Sequence, residues 1–381
     1  MSELLHMVSN VDQFIENCQN IEYISNQFNL IKREVDANPQ LLDPLFHGKL
    51  QNIGNTCYLN SVIQCLRHLP IFNRNLMDIL STYKPSENNK ERLKKFIFVV
   101  NYLKIIIYLN TNNNIVSPIG LKTILVNINS NYIGHTQHDA HELLIQLLDI
   151  FHSISSYTID IHETGVPRNI IDFKLKKSYV DLKNSYCGKY SNVLNIINSQ
   201  HEHIIQCSQE TCQKTSIMFD SSSCWELPIP NSLQRNISLY DCIDTFTKSE
   251  NIEYLCEHCN VKGISEQNIL LWKTGQILFI KLNKFYIPNV NANVIVSLPE
   301  VLDLSKFFDN DSMFRSPTQR YNLVSTICHV GSMDSGHYYT CTLNTKNMNG
   351  WTIYNDHMSM NIDTSKVINN PATYMAVYQM N

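Results

Sequence analysis

The chain has 381 residues, a formal net charge of −4, and hydrophobic and charged fractions of 43% and 17%. These values exclude an intrinsically disordered or fibrous chain and leave room for one large or two ordinary globular domains. The slight acidic excess gives no reason to expect nucleic acid or a membrane as the main partner, since both favour a basic surface. A protein therefore remains possible as the substrate.

Targeting signals are not evident. The first thirty residues carry early acids and no unbroken apolar stretch, unlike a secretory signal. The longest apolar run, 96–109, is interrupted by Asn101 and Lys104 and predicts a buried helix rather than a membrane span. We therefore expect an intracellular protein, cytoplasmic or nuclear, whose 12 cysteines are reduced. The abundance of asparagine and isoleucine indicates coding bias, as in an AT-rich or viral genome; a viral protein would act in its host cell.

The first half of the chain predicts helices. Residues 1–46 form a polar extension with apolar side chains at helical spacing: Val11, Phe14, Ile15 and Cys18. A helix follows Gly54, with Asn55 and Thr56 as caps and Cys57 in its first turn, and it ends before Pro70. Residues 90–127 are mainly helical, and a further amphipathic helix is predicted from about Gln137 to His152.

The second half predicts strands. β-rich runs bounded by glycine, asparagine, aspartate and serine occur at Gln276–Tyr286, Tyr321–Val330, His337–Leu343 and Trp351–Asn355. Helices followed by an antiparallel sheet, without βαβ alternation, predict an α+β fold.

Cys57 is a candidate nucleophile. The positive end of a helix favours a thiolate, and Asn52 or nearby amides could hold an oxyanion. A single cysteine at a helix start is nevertheless more often a packing residue, as we expect for Cys65.

His337 is the candidate base, since a thiol hydrolase needs an imidazole and a third group to orient it. If the turn between the last two β-rich runs is centred near Lys346, His337 and Asn355 lie opposite each other, within about 5.5 Å at Cβ. Asp356 is a second polar candidate. Spacing alone favours His337 as the base only weakly, because most histidines in sheets are structural.

Four cysteines form a candidate zinc site. Cys256 and Cys259 make a CxxC knuckle, and Cys207 and Cys212 could supply two further thiolates around a tetrahedral, structural ion. The alternatives are that His201, His203 or Cys224 replaces a ligand, or that the thiols pack without metal.

The segment from Asn52 to Ser61 (NIGNTCYLNS) closely resembles the cysteine box of ubiquitin-specific proteases. Gly336-His337-Tyr338, followed by Trp351, Tyr354, Asn355 and Asp356, is similar to the histidine box of that family. The resemblance implies a Cys57–His337–Asn355 triad, with Asn52 at the oxyanion. It also implies that Asp139, Glu142 and Tyr338 contact the ubiquitin tail, although helix spacing alone favours a solvated face for the two acids.

The resemblance covers about residues 47–379 and implies a papain-like architecture. Its helical thumb would span about 47–180, zinc-braced fingers 181–275 and a palm 276–381, with residues 1–46 outside the catalytic domain. The implied activity is hydrolysis of the isopeptide or peptide bond after the terminal glycine of ubiquitin, and the implied partners are ubiquitin and ubiquitinated proteins. Rival interpretations are an inactive ubiquitin-binding scaffold, a protease for a ubiquitin-like modifier or a viral polyprotein, and a structural zinc-ribbon protein.

Overall fold

The computed structural model describes residues 21–80, 89–160, 162, 164–230, 236–284, 294–316, 318–332, 335–344 and 350–380. The helix prediction over Val11–Cys18 lies outside these residues. The helices are α1 Ile21–Ala37, α2 Cys57–Arg67, α3 Pro70–Leu80, α4 Lys90–Thr111, α5 Ile119–Ile128, α6 Ala140–Ser155, α7 Ile170–Tyr186, α8 Asn192–Ile197, α9 Leu239–Thr247 and α10 Thr364–Ile368. Within the described ranges, no helix is both long and apolar enough to cross a bilayer.

The strands are most frequent after residue 198. They are β1 Lys49–Leu50, β2 Ile115–Val116, β3 Tyr157–Thr158, β4 Lys189–Tyr190, β5 Ser199–Gln206, β6 Thr215–Ser222, β7 Trp225–Pro228, β8 Asn236–Ser238, β9 Glu250–Leu255, β10 Lys262–Lys273, β11 Ile277–Asn283, β12 Ile295–Ser297, β13 Val301–Asp303, β14 Arg320–Gly331, β15 Gly336–Leu343, β16 Trp351–Asn355, β17 Met358–Ile362 and β18 Thr373–Met380. The α+β prediction is confirmed. The sheets are not purely antiparallel, because β7 pairs with β11, and β8 with β12, in parallel.

The chain divides into two compact units that do not follow chain order. The first unit comprises Met1–Ser156, Ser191–Val193 and Val324–Met375, and the second comprises Tyr157–Tyr190, Leu194–Leu323 and Ala376–Asn381.

The first unit is built around α4, which is buried on nearly all sides and so needs an apolar sequence without strong amphipathicity. Phe28 of α1 packs edge-on against Phe96 of α4 at 5.9 Å between ring centroids. Phe151 of α6 lies 5.0 Å from Tyr102 on another side of α4. The apolar run 96–109 is therefore a core helix, as predicted.

A buried cation joins α2 to the end of α4. The Arg67 guanidinium donates to Oδ1 of Asn110 (2.7 Å) and to the carbonyls of Gly48 (3.0 Å) and Leu109 (2.8 Å). Burial lowers the pKa of Arg67 to about 10. Multiple acceptors offset the cost of removing the charge from water, so this contact holds the C-terminal end of α2 against the end of α4.

The strands of the first unit carry the histidine segment. β15 pairs antiparallel with β14 and with β16, and β16 pairs with β17. Helix α2 packs on β15, where Oγ1 of Thr340 donates to the carbonyl of Ser61 (2.8 Å). This contact brings the start of α2 and the start of β15 into one region.

The second unit contains a four-stranded sheet in the order β6-β5-β10-β9. A buried charge cluster lies beside it: Nζ of Lys174 on α7 is 3.1 Å from Oε1 of Glu202 and 3.2 Å from Oδ2 of Asp311, and it also pairs with Asp309. Burial, and next the carboxyl group of Asp309, raise the pKa of Glu202 to about 8, against the lowering effect of Lys174. Glu202 is therefore a neutral acid at pH 7.

This raised pKa predicts that the protein loses stability as the pH rises from about 4.3 to about 8. The folded state holds a proton on Glu202 that the unfolded chain releases near pH 4.3. The stability that this proton contributes is therefore complete below pH 4.3, and it is lost as the pH rises through about 8. We expect Glu202→Gln, which mimics the neutral acid, to remove a pH-dependent loss on the order of 2–4 kcal/mol. Thermal unfolding at pH 5, 7 and 9 measures it.

The control is Glu253→Gln, which changes a carboxylate that is largely exposed and pairs with Lys262 at 2.9 Å. The melting temperature of Glu253→Gln should fall with pH as in the wild type. If the melting temperatures of the wild type and of Glu202→Gln changed equally with pH across this range, Glu202 would not be the group responsible.

Candidate active site

Cys57 is the first residue of α2 and its side chain is buried. The preceding turn is held by the Asn52 side chain, whose Oδ1 accepts from the backbone N–H of Gly54 (3.1 Å) and of Thr56 (3.2 Å). Gly54 has φ of +105°, and a Cβ there would lie 2.2 Å from Nδ1 of His135. Only glycine fits this turn, which explains the residue three positions before the thiol.

The predicted side-chain caps of α2 are wrong. Thr56 occupies the N-cap position but makes no side-chain cap hydrogen bond; its Oγ1 instead accepts from the backbone N–H of Ile53 (3.0 Å). Asn55 has φ of +52° and its side chain donates to the carbonyl of His135 (2.7 Å). Since neither of these side chains caps α2, they leave its first N–H groups available to other acceptors near the thiol.

The Cys57 thiol is not the low-pKa group that its helix position predicts. Burial raises its pKa, the backbone N–H of Tyr338 lowers it, and the charge of Asp356 raises it again. The backbone groups of Tyr58 and of Cys57 itself lower it slightly. Burial outweighs the helix terminus, so the resting group is a neutral thiol that needs a base to become a nucleophile.

His337 lies at the start of β15, and both of its neighbours are anchored. Gln137 forms a pair of hydrogen bonds with Gly336: Nε2 donates to the carbonyl (3.0 Å) and Oε1 accepts from the backbone N–H (2.9 Å). On the other side, the backbone of Tyr338 acts on the Cys57 thiol and lowers its pKa. The fold thus brings together two segments separated by 280 positions in the sequence.

Asn355 contacts His337, although the assumed register is wrong. Thr340 pairs with Tyr354 and Leu343 with Trp351, so the position opposite His337 would be 357. Asn355 is the diagonal neighbour on the same face, and its Oδ1 lies 2.6 Å from Nε2 of the imidazole. Because an amide oxygen only accepts, this pairing places the hydrogen on Nε2 and leaves Nδ1 as the basic nitrogen.

Asp356 connects three parts of the site. Its Oδ2 accepts from Nδ2 of Asn52 (2.9 Å) and its Oδ1 from Nδ2 of Asn60 (2.7 Å). Its carbonyl accepts from the backbone N–H of Leu50 (3.2 Å), and Oδ2 is 3.9 Å from Nε2 of His337. With φ of +51°, Asp356 turns the chain out of β16, which points its carboxylate at α2 instead of along the strand.

One of the two predicted groove acids, Asp139, occupies a different position from that expected. Helix α6 begins at Ala140, so Asp139 is its N-cap: Oδ1 accepts from the backbone N–H of His141 (2.6 Å) and of Glu142 (3.3 Å). The other oxygen of Asp139 accepts from the Tyr374 hydroxyl (2.7 Å). The Glu142 side chain is exposed. Only Glu142 is thus an ordinary helix-face carboxylate.

Tyr338 packs against two aromatic rings. Its ring lies 4.5 Å from the ring of His329 and 6.0 Å from that of Tyr374. Tyr338 and His337 are consecutive in a strand, so their side chains leave opposite faces of β15.

In the second unit, the four predicted cysteines converge. The Sγ atoms of Cys207, Cys212, Cys256 and Cys259 all lie within 4.8 Å of one another, and two of the pairs are 3.9 Å apart. A tetrahedral zinc with Zn–S bonds of about 2.3 Å would separate its sulfurs by about 3.8 Å. The four thiols therefore fit a metal ion.

The unusual spacing of the first cysteine pair does not prevent an equivalent turn. Gln213 follows Cys212 with φ of +47°, and Asn260 follows Cys259 with φ of +53°. The proposed substitute ligands lie elsewhere, since Asp220 pairs with Nε2 of His203 (2.8 Å) and Nδ1 of His201 (3.4 Å). Cys224 is buried and is not among the four clustered thiols.

Three contacts of the site were missed from the sequence. Asn60 holds Asp356, Gln137 holds the backbone before His337, and Tyr374 binds Asp139. Asn60 lies in the segment that resembles the cysteine box, so its motif position was a usable signal. Tyr374 offered none.

A buried thiol at a helix N-terminus and an imidazole oriented by an amide oxygen are side chains of the kind that thiol hydrolases use. The chain belongs to the ubiquitin carboxyl-terminal hydrolase family, whose model matches residues 48–378. Both sequence segments that carried the resemblance lie inside that range.

The curated relatives are distant and longer. The chain is 24% identical over 381 residues to ubiquitin carboxyl-terminal hydrolase 4 of Candida glabrata, covering 89% of this chain and 41% of the relative. It is 25% identical over 380 residues to ubiquitin carboxyl-terminal hydrolase 5 of Saccharomyces cerevisiae, covering 90% and 46%. The chain thus spans less than half the length of these relatives.

The fold is shared with solved structures. A SAGA DUB module, Ubp8/Sgf11/Sus1/Sgf73 bound to monoubiquitin, matches with a TM-score of 0.63 and 22% identity over 87% of this chain and 69% of that chain. The same module bound to ubiquitin aldehyde matches with a TM-score of 0.61 and 21% identity over the same shares. The predicted ubiquitin-specific protease fold is confirmed.

Proposed function

We propose that this chain is a deubiquitinase that hydrolyses the bond after the C-terminal glycine of ubiquitin, with Cys57 as nucleophile and His337 as base. The observation that carries the proposal is the packing of α2, which begins at Cys57, on β15 through Thr340 and Ser61, while Asn355 holds the imidazole of His337. Family membership and similarity to structures bound to ubiquitin support it.

In the first step, Nδ1 of His337 takes the proton of the Cys57 thiol, and the sulfur attacks the glycine carbonyl. Nδ2 of Asn52 has a second hydrogen beyond the one donated to Asp356, and the N–H groups at the start of α2 add further donors for the oxyanion. The imidazolium then protonates the leaving amine, and the C–N bond breaks to leave a thioester. Water, deprotonated by His337, hydrolyses the thioester and regenerates the thiol.

The ubiquitin tail is basic and ends in glycine. In this proposal, Asp139 and Glu142 supply acceptors along its groove, and Tyr338 forms one wall. Asp139 is fixed by Tyr374 and by the start of α6, so its carboxylate is ordered before substrate arrives.

We also propose that the clustered cysteines hold one structural zinc ion in the predicted fingers. Four thiolates complete a closed coordination sphere, so this ion would stabilise the fold and take no part in the reaction. The ion would join the turn after β5 to the turn after β9.

The zinc proposal predicts metal content and stability together. Purified protein should contain about one zinc per chain, and Cys256→Ser should lose it and unfold at a temperature lower by several degrees, since metal binding contributes to folding free energy. Elemental analysis and thermal unfolding measure the two quantities. Cys242→Ser, a buried cysteine outside the cluster, controls for general destabilisation: it should lower the melting temperature while keeping the metal. The proposal would be contradicted if the wild-type protein without metal unfolded at the same temperature as the protein with metal.

Hydrolysis of fluorophore conjugates tests the function. The wild-type protein should release fluorophore from a ubiquitin conjugate, and release from ubiquitin-like modifiers should be slower. Cleavage of a ubiquitin-like conjugate alone would instead support the modifier-protease alternative. Binding of ubiquitin without any cleavage would identify an inactive scaffold, although the candidate catalytic positions are all filled here.

A further inference from the structure

Two methionines are exposed beside the candidate active site. Met358 and Met360 belong to β17 and expose 49% and 59% of their surface. Being two residues apart, their side chains leave the same face of the strand. Met358 is paired directly with Asn355, and Met360 with Ile353. Met358 is therefore the cross-strand neighbour of the residue that holds the imidazole.

These side chains border a small cavity of about 150 Å³. Its lining residues are Tyr339, Ile353, Asn355, Met358, Ser359 and Met360. The wall is mainly apolar, and its polar residues include Asn355, whose amide oxygen lies 2.6 Å from His337. The Tyr339 hydroxyl accepts from Nδ2 of Asn370 (3.0 Å), which fixes one side of the cavity. The cavity therefore borders the residue that holds the imidazole, and it has the size of one apolar side chain.

The cavity lies on the face of the sheet that carries His337. The proposed tail-binding side chain Tyr338 leaves β15 from the opposite face, towards His329 and Tyr374. In the proposed reaction, the imidazole transfers its proton to the leaving amine. The leaving group must therefore approach the His337 face, while the ubiquitin tail occupies the other side of the scissile bond.

We infer that Met358, Met360 and Ile353 form a subsite for an apolar side chain next to the modified lysine of the leaving protein. The inference rests on the proposed deubiquitinase function. The four-carbon stem of the lysine separates the reacting nitrogen from its own backbone, which lets a flanking residue reach beyond the imidazole. Methionine suits such a subsite because its flexible thioether side chain adapts to differently shaped apolar partners.

The test uses ubiquitin joined by an isopeptide bond to the lysine of three peptides of equal length, with leucine, aspartate or arginine flanking the lysine. Wild-type kcat/KM should be about tenfold higher for the leucine peptide than for the aspartate peptide. Met360→Lys should reverse this order and favour aspartate, and Met360→Glu should favour arginine. A purely structural role of Met360 would not produce a preference that follows the introduced charge.

The control is Met313→Glu, which places the same charge at an exposed methionine of the second unit and should keep the wild-type order of peptides. Equal cleavage of all three peptides by the wild type would overturn the inference, as would Met360 variants that keep the leucine preference. A ubiquitin–fluorophore conjugate separates the two proposals. If it is not cleaved, the deubiquitinase function fails; if it is cleaved without any peptide preference, only the subsite fails.

Discussion

Replacing His337 with alanine is expected to lower kcat/KM for a ubiquitin–fluorophore conjugate by about 10³-fold or more. The reason is the burial of Cys57, which raises the pKa of its thiol and leaves it protonated without a base. The residual rate should rise with pH through the neutral range, because the thiolate fraction grows about tenfold per pH unit below the pKa. Steady-state kinetics between pH 6 and 9 measure both effects.

The matched control is His162→Ala, since this histidine side chain is largely exposed and pairs only with Asp160 among its contacts shown by the structure. Its activity should equal that of the wild type. A His337→Ala protein that is folded and loses less than tenfold in kcat/KM, or a residual rate independent of pH, would contradict the assignment of His337 as the base.

Replacing Asp356 with alanine should give the second-largest loss, on the order of 10- to 100-fold in kcat. The variant removes the acceptor of both Asn52 and Asn60, so the turn before Cys57 and the proposed oxyanion donor lose their support. The loss of these two hydrogen bonds should also lower the free energy of unfolding by about 1–3 kcal/mol. Because substrate is held mainly by the groove, kcat should fall more than KM rises.

The Asp356→Asn variant should lose less kcat than Asp356→Ala. Its side chain keeps one oxygen acceptor in place of two, so its kcat should lie between those of the wild type and Asp356→Ala. Asp363→Ala provides the control, since Asp363 is exposed and makes no side-chain cap hydrogen bond with α10. Wild-type kcat in a folded Asp356→Ala protein would show that the carboxylate does not support the site.

Local patterns predicted much of the fold. The β-rich runs that begin at His337 and Trp351 became β15 and β16, and the helix after Gly54 begins at Cys57. In these segments hydrophobic periodicity and turn residues act over a few neighbours, which the sequence shows directly. The start of α6 was predicted three residues early because Asp139 is the cap of the helix rather than part of it.

Contacts between distant segments were harder to predict. The register between β15 and β16 depends on the turn joining them, and a shift of the assumed centre by one position changed the partner of His337 by two. The contact of Asn52 with Asp356 joins residues 304 positions apart, and the pairing of Lys174 with Asp309 joins residues 135 apart. The raised pKa of Cys57 also depends on burial by the whole unit, which outweighs its helix position.

The most direct test of the central claim is covalent labelling with ubiquitin that carries an electrophile at its C-terminus. Intact mass and peptide mapping should show one adduct per chain, located on Cys57, and none on Cys57→Ala. Folded wild-type protein that remains unlabelled, or an adduct on any of the other cysteines, would contradict the account.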